Sequence, residues 1–514
     1  MGSHYIPVGK LKIDKYILDI ACPAAGYDTT PPDPAIYCPA NKYYDPDKPL
    51  PYIPDENLPA VNPNDGEIIL ICTTDWHAAI NVQTNTSTGQ VKYSIYGVND
   101  SLIYSQNVNS GVVFFYQFPS VGGTDLGNGK LAYKVIITAV TGALTIFKTL
   151  KKTLYDNFGW PILEAHIKCP SLTTLTDAFL DEGYIQYIKF YGAHDNLTSL
   201  VQFTKGTTEL KKLELPTSLN GLTSINYMLL SSGCETCIFH ATSLPELITA
   251  LGAFSSSGIK SNPLAHIAQL PKCTNIGSMY AYTKNLKGDL LLPECPVGNN
   301  ITGIVSGSYI SRLIFQGVMN GTFGNTISII AGYTPYLEEI VLPEEMLGLQ
   351  DFIYTFSSAL SLKKLTLPKK IVLSGTVTAL PSIFIGTGSE KKANNIEVIT
   401  TCNEWVLVSG RSWTETPPRA LKRFDQPSLA VAIFEINKSS NVQLDLEYIS
   451  INFSALATSS GSFVVRYANL SQTELNRISN LLPTVTSGIF NVTLNPGYAT
   501  FDKTIAQAKG WTVT

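Results

Sequence analysis

The sequence has no uninterrupted apolar run long enough to cross a bilayer. Its longest candidate, Val135 to Phe147, is broken by Thr138, Thr141 and Thr145, and it falls short of the roughly 20 residues a membrane helix needs. It reads as a pair of buried strands, and no membrane insertion is expected. Charge is also scarce: Asp, Glu, Lys and Arg make up 15% of the 514 residues, with a net charge of −4. A nucleic-acid partner requires a basic surplus or patch to neutralise phosphates, so none is expected. Nine cysteines without a close-spaced framework argue against a disulfide scaffold. The six histidines form no HExxH pair, and neither a GxSxG elbow nor a Walker loop occurs. What the chain does have is apolar mass. Hydrophobic residues are 44%, with 21 Phe and 26 Tyr, enough to offset the entropy of ordering most of it. The length suits either several domains or one long repeat array.

The first 25 residues carry Lys10, Lys12, Asp14, Lys15 and Asp19, which leaves no apolar core for a signal peptide. The run Leu18 to Cys22 is similar to a lipoprotein cleavage box, but Asp19 sits inside it. From Cys22 to Pro63 come eleven prolines, interleaved with Tyr27, Tyr37, Tyr43, Tyr44 and Tyr52. Such a segment is neither helix nor central strand. We read residues 1–63 as an extended docking arm in which Tyr37, Tyr43, Tyr44 and Tyr52 anchor against another surface; a stiff linker is the alternative. Between Gly66 and about Lys152 the pattern turns to short β-rich runs, Glu67 to Thr73, Val91 to Tyr96, Gly111 to Phe118 and Leu131 to Phe147, divided by Gly- and Asn-rich clusters such as Gly122 to Gly129. That pattern predicts a small antiparallel β-sandwich over residues 64–155. Its segment Val91 to Asp100 is similar to the tryptophan-glycine-aspartate-glycine strand and turn of PKD-like domains.

From about residue 160 to 400 a Leu-x-x-Leu-x-Leu pattern recurs, clearest at Leu210, Leu213, Leu215, at Leu337, Ile340, Leu342, and at Leu362, Leu365, Leu367, each followed by proline. Cys169, Phe190, Leu215, Phe239, Gln269, Leu292, Phe315, Leu342, Leu367 and Val398 share one phase, with separations of 21 to 31 residues. That period predicts a solenoid in which stacked strands close one apolar core that no single repeat buries alone. These motifs resemble BspA-like leucine-rich repeats, found in bacterial surface proteins and in virion proteins of phages of gut bacteria. Residues 401–514 then read as irregular and terminal capping repeats: Ser471 and Glu474 have the spacing of a helix capping box, and Leu470 to Val513 resembles the terminal repeat of tail and fibre-like phage proteins. The expected fold class is thus mixed β and α/β, comprising a proline-rich arm, a small antiparallel sandwich, a leucine-rich-repeat solenoid and a capping repeat.

Candidates for chemistry each have a simpler reading. Cys234 and Cys237 have metal-ligand spacing but no second pair to complete a four-coordinate site, and both fall on inward leucine positions. His166 and His266 precede inward residues, which places them on the outer strand face. Adjacent carboxylates such as Glu338 and Glu339 point to opposite sides of a strand. No catalytic residue, cofactor or metal is expected. One pattern stands out. The residue before each inward position faces out, and along the array it reads Lys168, Lys189, Glu214, Ile238, Ala268, Leu291, Ile314, Val341, Thr366 and Glu397. The middle five, Ile238, Ala268, Leu291, Ile314 and Val341, are apolar, a stripe that monomers generally avoid exposing. These observations and the resemblance together imply a structural protein of a phage virion, a tail, ring or fibre component. It would be assembled in the host cytoplasm and would contact other virion proteins, copies of itself, or a host-surface glycan or protein. A bacterial cell-surface adhesin is the alternative, and a glycan-active enzyme a third reading that lacks clustered acids.

Overall fold

The computed structural model describes residues 11–13, 16–18, 58–74, 79–127, 129–150, 162–297, 300–320, 334–349, 361–373, 379–380, 397–406, 412–415, 420–436, 443–457 and 461–514. They belong to two compact units, Met1–Leu50 and Pro51–Thr514. In the first unit the described residues form an antiparallel hairpin, Leu11–Ile13 with Tyr16–Leu18.

The second unit is mostly β and contains a β-solenoid of about 11 turns. It begins with two facing sheets. Strands Ala79–Thr86, Val113–Gln117 and Leu144–Thr149 form one. Strands Glu67–Thr73, Gln90–Tyr96, Leu102–Asn109 and Lys130–Ala139 begin the other. Alternation puts Ile68, Leu70 and Cys72 inside, with Tyr93, Val135 and Ile137, and the Tyr93 and Phe114 rings stack across the space with centroids 4.1 Å apart. Thr124–Gly127 folds back on Lys130–Ala139, so the glycine-rich run is a hairpin. Strands Ala79–Thr86 and Leu102–Asn109 escaped the sequence reading because polar residues such as Asn81, Gln83, Gln106 and Asn107 occupy positions where alternation was sought.

The second sheet does not end with this pair of layers. Glu67–Thr73 pairs antiparallel with Ile162–Lys168, and that strand pairs parallel with Tyr187–Phe190, followed by Lys212–Glu214 and Thr236–Ile238. One nine-stranded sheet therefore runs from the sandwich into the solenoid. The first sheet is continued too: Ile146 bridges Thr174, and a line of bridges passes through Ser199, Ser224, Thr249 and Asn275 to Asn300. At five of these positions the side chain closes the corner by accepting the amide two residues on. Thr174 accepts from Thr176, Ser199 from Val201, Ser224 from Asn226, Asn275 from Gly277 and Asn300 from Thr302, at 3.0 to 3.4 Å. Short polar side chains make this local bond readily, which is why Ser, Thr or Asn recurs there.

The remainder of each turn is neither strand nor helix. Amides alternate in direction: those of Leu175, Asp177, Phe179 and Asp181 donate to Ser199, Val201, Phe203 and Lys205 of the next turn, while those of Ala178, Leu180 and Glu182 donate three residues back. These amides are thereby paired without helix formation. The reversal requires left-handed residues, and they recur in column, at Asp177, Gln202, Tyr227 and Gly252. Inside lie Leu, Ile and Phe side chains, with Phe147, Phe179 and Phe203 in successive contact at 5.4 to 5.5 Å. Cys234 and Cys237 are buried among them, as small apolar groups, and burial pushes the Cys234 thiol up to about 12.

Past residue 400 the stacking continues. Ser412–Glu415, Ile433–Ile436, Ser462–Val465, Gly488–Asn491 and Trp511–Val513 are parallel neighbours in one sheet. Tyr448–Ser450 pairs parallel with Arg423–Asp425 in a separate two-stranded sheet. Among the described residues, α-helix is confined to Gln472–Leu481 and Lys503–Gln507. Ser471 caps the first by accepting the Glu474 amide at 3.2 Å, but the reciprocal half of the box is not made. The Glu474 carboxylate instead accepts the Ile449 amide of the preceding turn at 3.1 Å and pairs with Arg477 at 2.6 Å.

Candidate interaction face

The outer face of the parallel strands is organised by register. In the first block His166, Lys189, Glu214 and Ile238 stand in one row, and Glu164, Tyr187, Lys212 and Thr236 in the next. Lys168 lies outside the expected row: Lys189 pairs with His166, and Lys168 pairs with Glu67. Ile167, not Cys169, matches Phe190.

The ladder breaks in the following turn. No strand follows Thr236–Ile238 until Lys287–Leu292, and the intervening Ser261-Asn262-Pro263 includes a residue without a backbone donor. Asn262 ties this turn to the next strand, its side-chain amide donating to the Leu291 carbonyl at 2.5 Å while its oxygen accepts the Leu264 amide at 3.0 Å and the Tyr280 hydroxyl at 2.5 Å. Ala268 and Gln269 are therefore not on this face. Gln269 is exposed and bridges Glu294 on a different ladder, while Leu264, Ile267 and Leu270 carry the core.

In the second block Leu291, Ile314, Val341 and Thr366 stand in one row, the first three half-buried. Alongside them Asp289, Arg312, Glu339 and Lys364 form a row of alternating sign, with Arg312 to Glu339 at 2.9 Å and Lys364 to Glu339 at 2.8 Å. Glu397 is not the next outward residue, because Val398 pairs with Lys364 and Ile399 with Leu365; Val398 is exposed and Ile399 buried. The 31-residue spacing had hidden that shift. Tyr37, Tyr43, Tyr44 and Tyr52 lie outside the described residues.

The first block is a connected polar cluster. The Tyr187 hydroxyl donates to Glu214 at 2.8 Å, Lys212 reaches Glu214 at 2.5 Å, and Lys189 and His240 stand 3.7 and 3.6 Å from it. Burial alone would raise the Glu214 carboxyl, but these hydrogen bonds and charges outweigh it and hold it at about 2. The Tyr187 hydroxyl is raised well above the ordinary phenol range, by burial first and by Glu214 second. His166, buried on this row and not free at the surface as expected, bonds Glu164 at 2.8 Å and the Tyr191 hydroxyl at 3.0 Å. His266 is exposed and bonds the Ala241 carbonyl at 2.9 Å. Nothing in the sequence motif announces this cluster, since its members come from four turns.

No group of three or more His, Cys, Asp or Glu suited to a metal ion occurs among the described residues. No helix among them is long and apolar enough to cross a membrane. No protein-family model, curated protein or solved structure matches the chain. The face must therefore be interpreted from its own chemistry. It offers a rigid grid at about 4.8 Å spacing, polar and aromatic in its first block and apolar beside compensated charge in its second, with its ionic groups already engaged by one another.

Proposed function

We propose that this chain is a structural and interaction protein that works by presenting its solenoid face to another macromolecule. The observation that carries this reading is the row Leu291, Ile314, Val341, three large apolar side chains in direct register on the outer side of a sheet. Aliphatic side chains on adjacent strands, bordered by charges neutralised within their own row, favour a partner that removes them from water. The repeat period and the Leu-x-x-Leu-x-Leu-Pro endings further support a BspA-like leucine-rich-repeat protein serving as a phage virion component of the tail, ring or fibre. In that setting the arm docks the chain onto other virion proteins and the array contacts neighbours or the host surface. Many weak copies on a symmetric particle would then bind with high avidity. A bacterial surface adhesin would use the same face, and the two readings differ in whether the chain is recovered in particles.

The test replaces Leu291 and Val341 together with Asp in the full chain. The expected result is loss of incorporation into native particles, with far-UV circular dichroism unchanged. Incorporation at the level of the unaltered chain would overturn the reading.

A further inference from the structure

We infer that the second block of the solenoid face pairs with the same block of a second copy of this chain, about a two-fold axis parallel to the strands. The inference rests on the interaction reading above and names the partner of that part of the face.

The observation is a pattern of sign. Down the solenoid the row Asp289, Arg312, Glu339, Lys364 reads minus, plus, minus, plus, and such a row is the complement of its own reversal. Laid against an inverted copy, Asp289 meets Lys364 and Arg312 meets Glu339, so every member faces its opposite sign. The neighbouring row obeys the same operation. Leu291, Ile314, Val341 and Thr366 stand on the same four strands, so inversion sets Ile314 against Val341 at the centre and Leu291 against the Thr366 methyl at the ends. One symmetry operation thus covers charge with charge and aliphatic with aliphatic, as an isologous contact requires.

Other two-fold arrangements fail on these same residues. An axis along the solenoid keeps the order of the turns. Placed over the charged row, it sets each charge against its own kind; placed between the rows, it sets each charge on aliphatic surface, desolvated without a partner across the contact. The inverted arrangement keeps the strands of the two sheets aligned, a common packing of sheets face to face. Arg312 and Lys364 already pair with Glu339 at 2.9 and 2.8 Å; with a second copy present, signs alternate across the contact as well as along it. The row's two ends are open to a partner, Asp289 at 58% and Lys364 at 47% exposed. Bordering charges leave the pattern intact: Glu338 and Lys363 neutralise each other at 2.9 Å, and Lys287 stands in the separate row of Tyr309.

Two rows across four strands cover on the order of 300 Å², below the roughly 800 Å² per partner of a standard stable interface. The contact is therefore weak between isolated chains and gains strength where other contacts hold copies close together.

The test uses the full chain at concentrations up to about 100 μM, suited to a weak contact. A carbodiimide joins carboxylates to amines that touch. Within one chain Asp289 and Lys364 are three strand spacings apart, about 14 Å, so an Asp289–Lys364 amide found by peptide mass spectrometry comes only from two copies; the Glu339–Lys364 link within the chain is the internal standard. The expected result is a covalent dimer carrying the Asp289–Lys364 link, its yield rising with concentration. In sedimentation velocity Asp289→Lys and Lys364→Asp, each alone, should associate at least about tenfold more weakly, because like charges then face each other at both ends of the row. An equimolar mixture should recover association. Recovery in the mixture cannot come from repair within a chain, and it shows that both variants are folded. The inference is overturned if no Asp289–Lys364 link forms, if either variant associates like the unaltered chain, or if the mixture associates no better than its parts. Those outcomes, with the Leu291/Val341 variant still lost from particles, would assign the face to a different protein and leave the interaction reading standing.

Discussion

Asn262 donates a hydrogen bond to the Leu291 carbonyl, and so ties a turn that has no strand to the second block of the solenoid's outer sheet. The side chain substitutes for a backbone rung that Pro263 cannot supply. Replacing Asn262 with Ala leaves the Leu291 carbonyl and the Tyr280 hydroxyl without this partner, at an expected cost of about 1–3 kcal/mol. Amide hydrogen exchange should quicken most at Leu264, whose amide bonds the same side chain. Protection unchanged there would show that the break is held by something else.

His194 is fully buried, accepts the Cys169 amide at 3.4 Å through Nε2 and meets Phe190 edge to face. Burial depresses its pKa to about 4. The unfolded chain then binds the proton more readily, so this contribution to stability is fully present above about 6.5 and is lost as pH falls from there toward 4. At roughly 1.4 kcal/mol per pKa unit the loss is on the order of 3 kcal/mol. Urea midpoints at pH 7 and pH 4.5 should differ by less in His194→Gln than in the unaltered chain. Equal differences would remove His194 as the cause.

Glu214 works in the opposite sense. Its carboxyl is held down at about 2, so its contribution is present above the ordinary value of about 4.5 and disappears as pH falls from there toward 2. Glu214→Gln should flatten the acid limb below pH 4.5 and leave the limb assigned to His194 in place. The two variants combined should add, because His194 contacts Cys169 and Phe190 whereas Glu214 engages Tyr187, Lys189, Lys212 and His240, and residues without a shared partner act independently. Strong non-additivity in the double variant would show that they titrate as a unit.

The Tyr227 ring lies directly over Gly252: a methyl group on Gly252 would come within 2.7 Å of its Cδ1. Gly252 is also left-handed, φ 59°. Gly252→Ala is expected to cost about 1–3 kcal/mol in a melting experiment. Tyr227→Ala in the same chain should relieve part of that cost; a cycle with zero coupling would mean that backbone strain alone is responsible.

Charge alternation down a column makes stacking order-specific. In the row Asp289, Arg312, Glu339 the middle residue is flanked by opposite sign on both sides. Arg312→Glu puts three carboxylates about 4.8 Å apart, with an expected loss of about 1–2 kcal/mol that shrinks as salt is added. A loss independent of ionic strength would locate the effect in packing.

The solenoid was legible in the sequence because its core positions are large and apolar: Leu213, Leu290, Leu313, Ile340 and Leu365 are buried where the pattern placed them. Two frame errors share one origin. Gln269 and Val398 each sit where a strandless turn or a long insertion displaces the chain, and counting residues cannot detect a displacement that leaves another apolar residue nearby; Cys169, itself buried, lies two residues past the register partner of Phe190. The corner column of Thr174, Ser199, Ser224, Thr249, Asn275 and Asn300 was visible at a spacing of 25 or 26 residues but unread, since its signal is side-chain hydrogen bonding and not hydrophobicity. The cluster around Glu214 could not be read at all. Tyr187, Lys212 and His240 come together only after the turns are stacked in register.

The antiparallel pairing of Glu67–Thr73 with Ile162–Lys168 also settles how the molecule would carry tension. The Gly66 amide bonds the Lys168 carbonyl at 2.7 Å, so the point where the chain enters the sheet and the point where it departs into the solenoid are one rung apart. A pull on the amino-terminal side would pass to the turns through that rung, leaving the hundred or so residues between them off the load path. That geometry opens by peeling, one bond at a time, and the facing sheets would act as a slack reserve released only after the first rungs part.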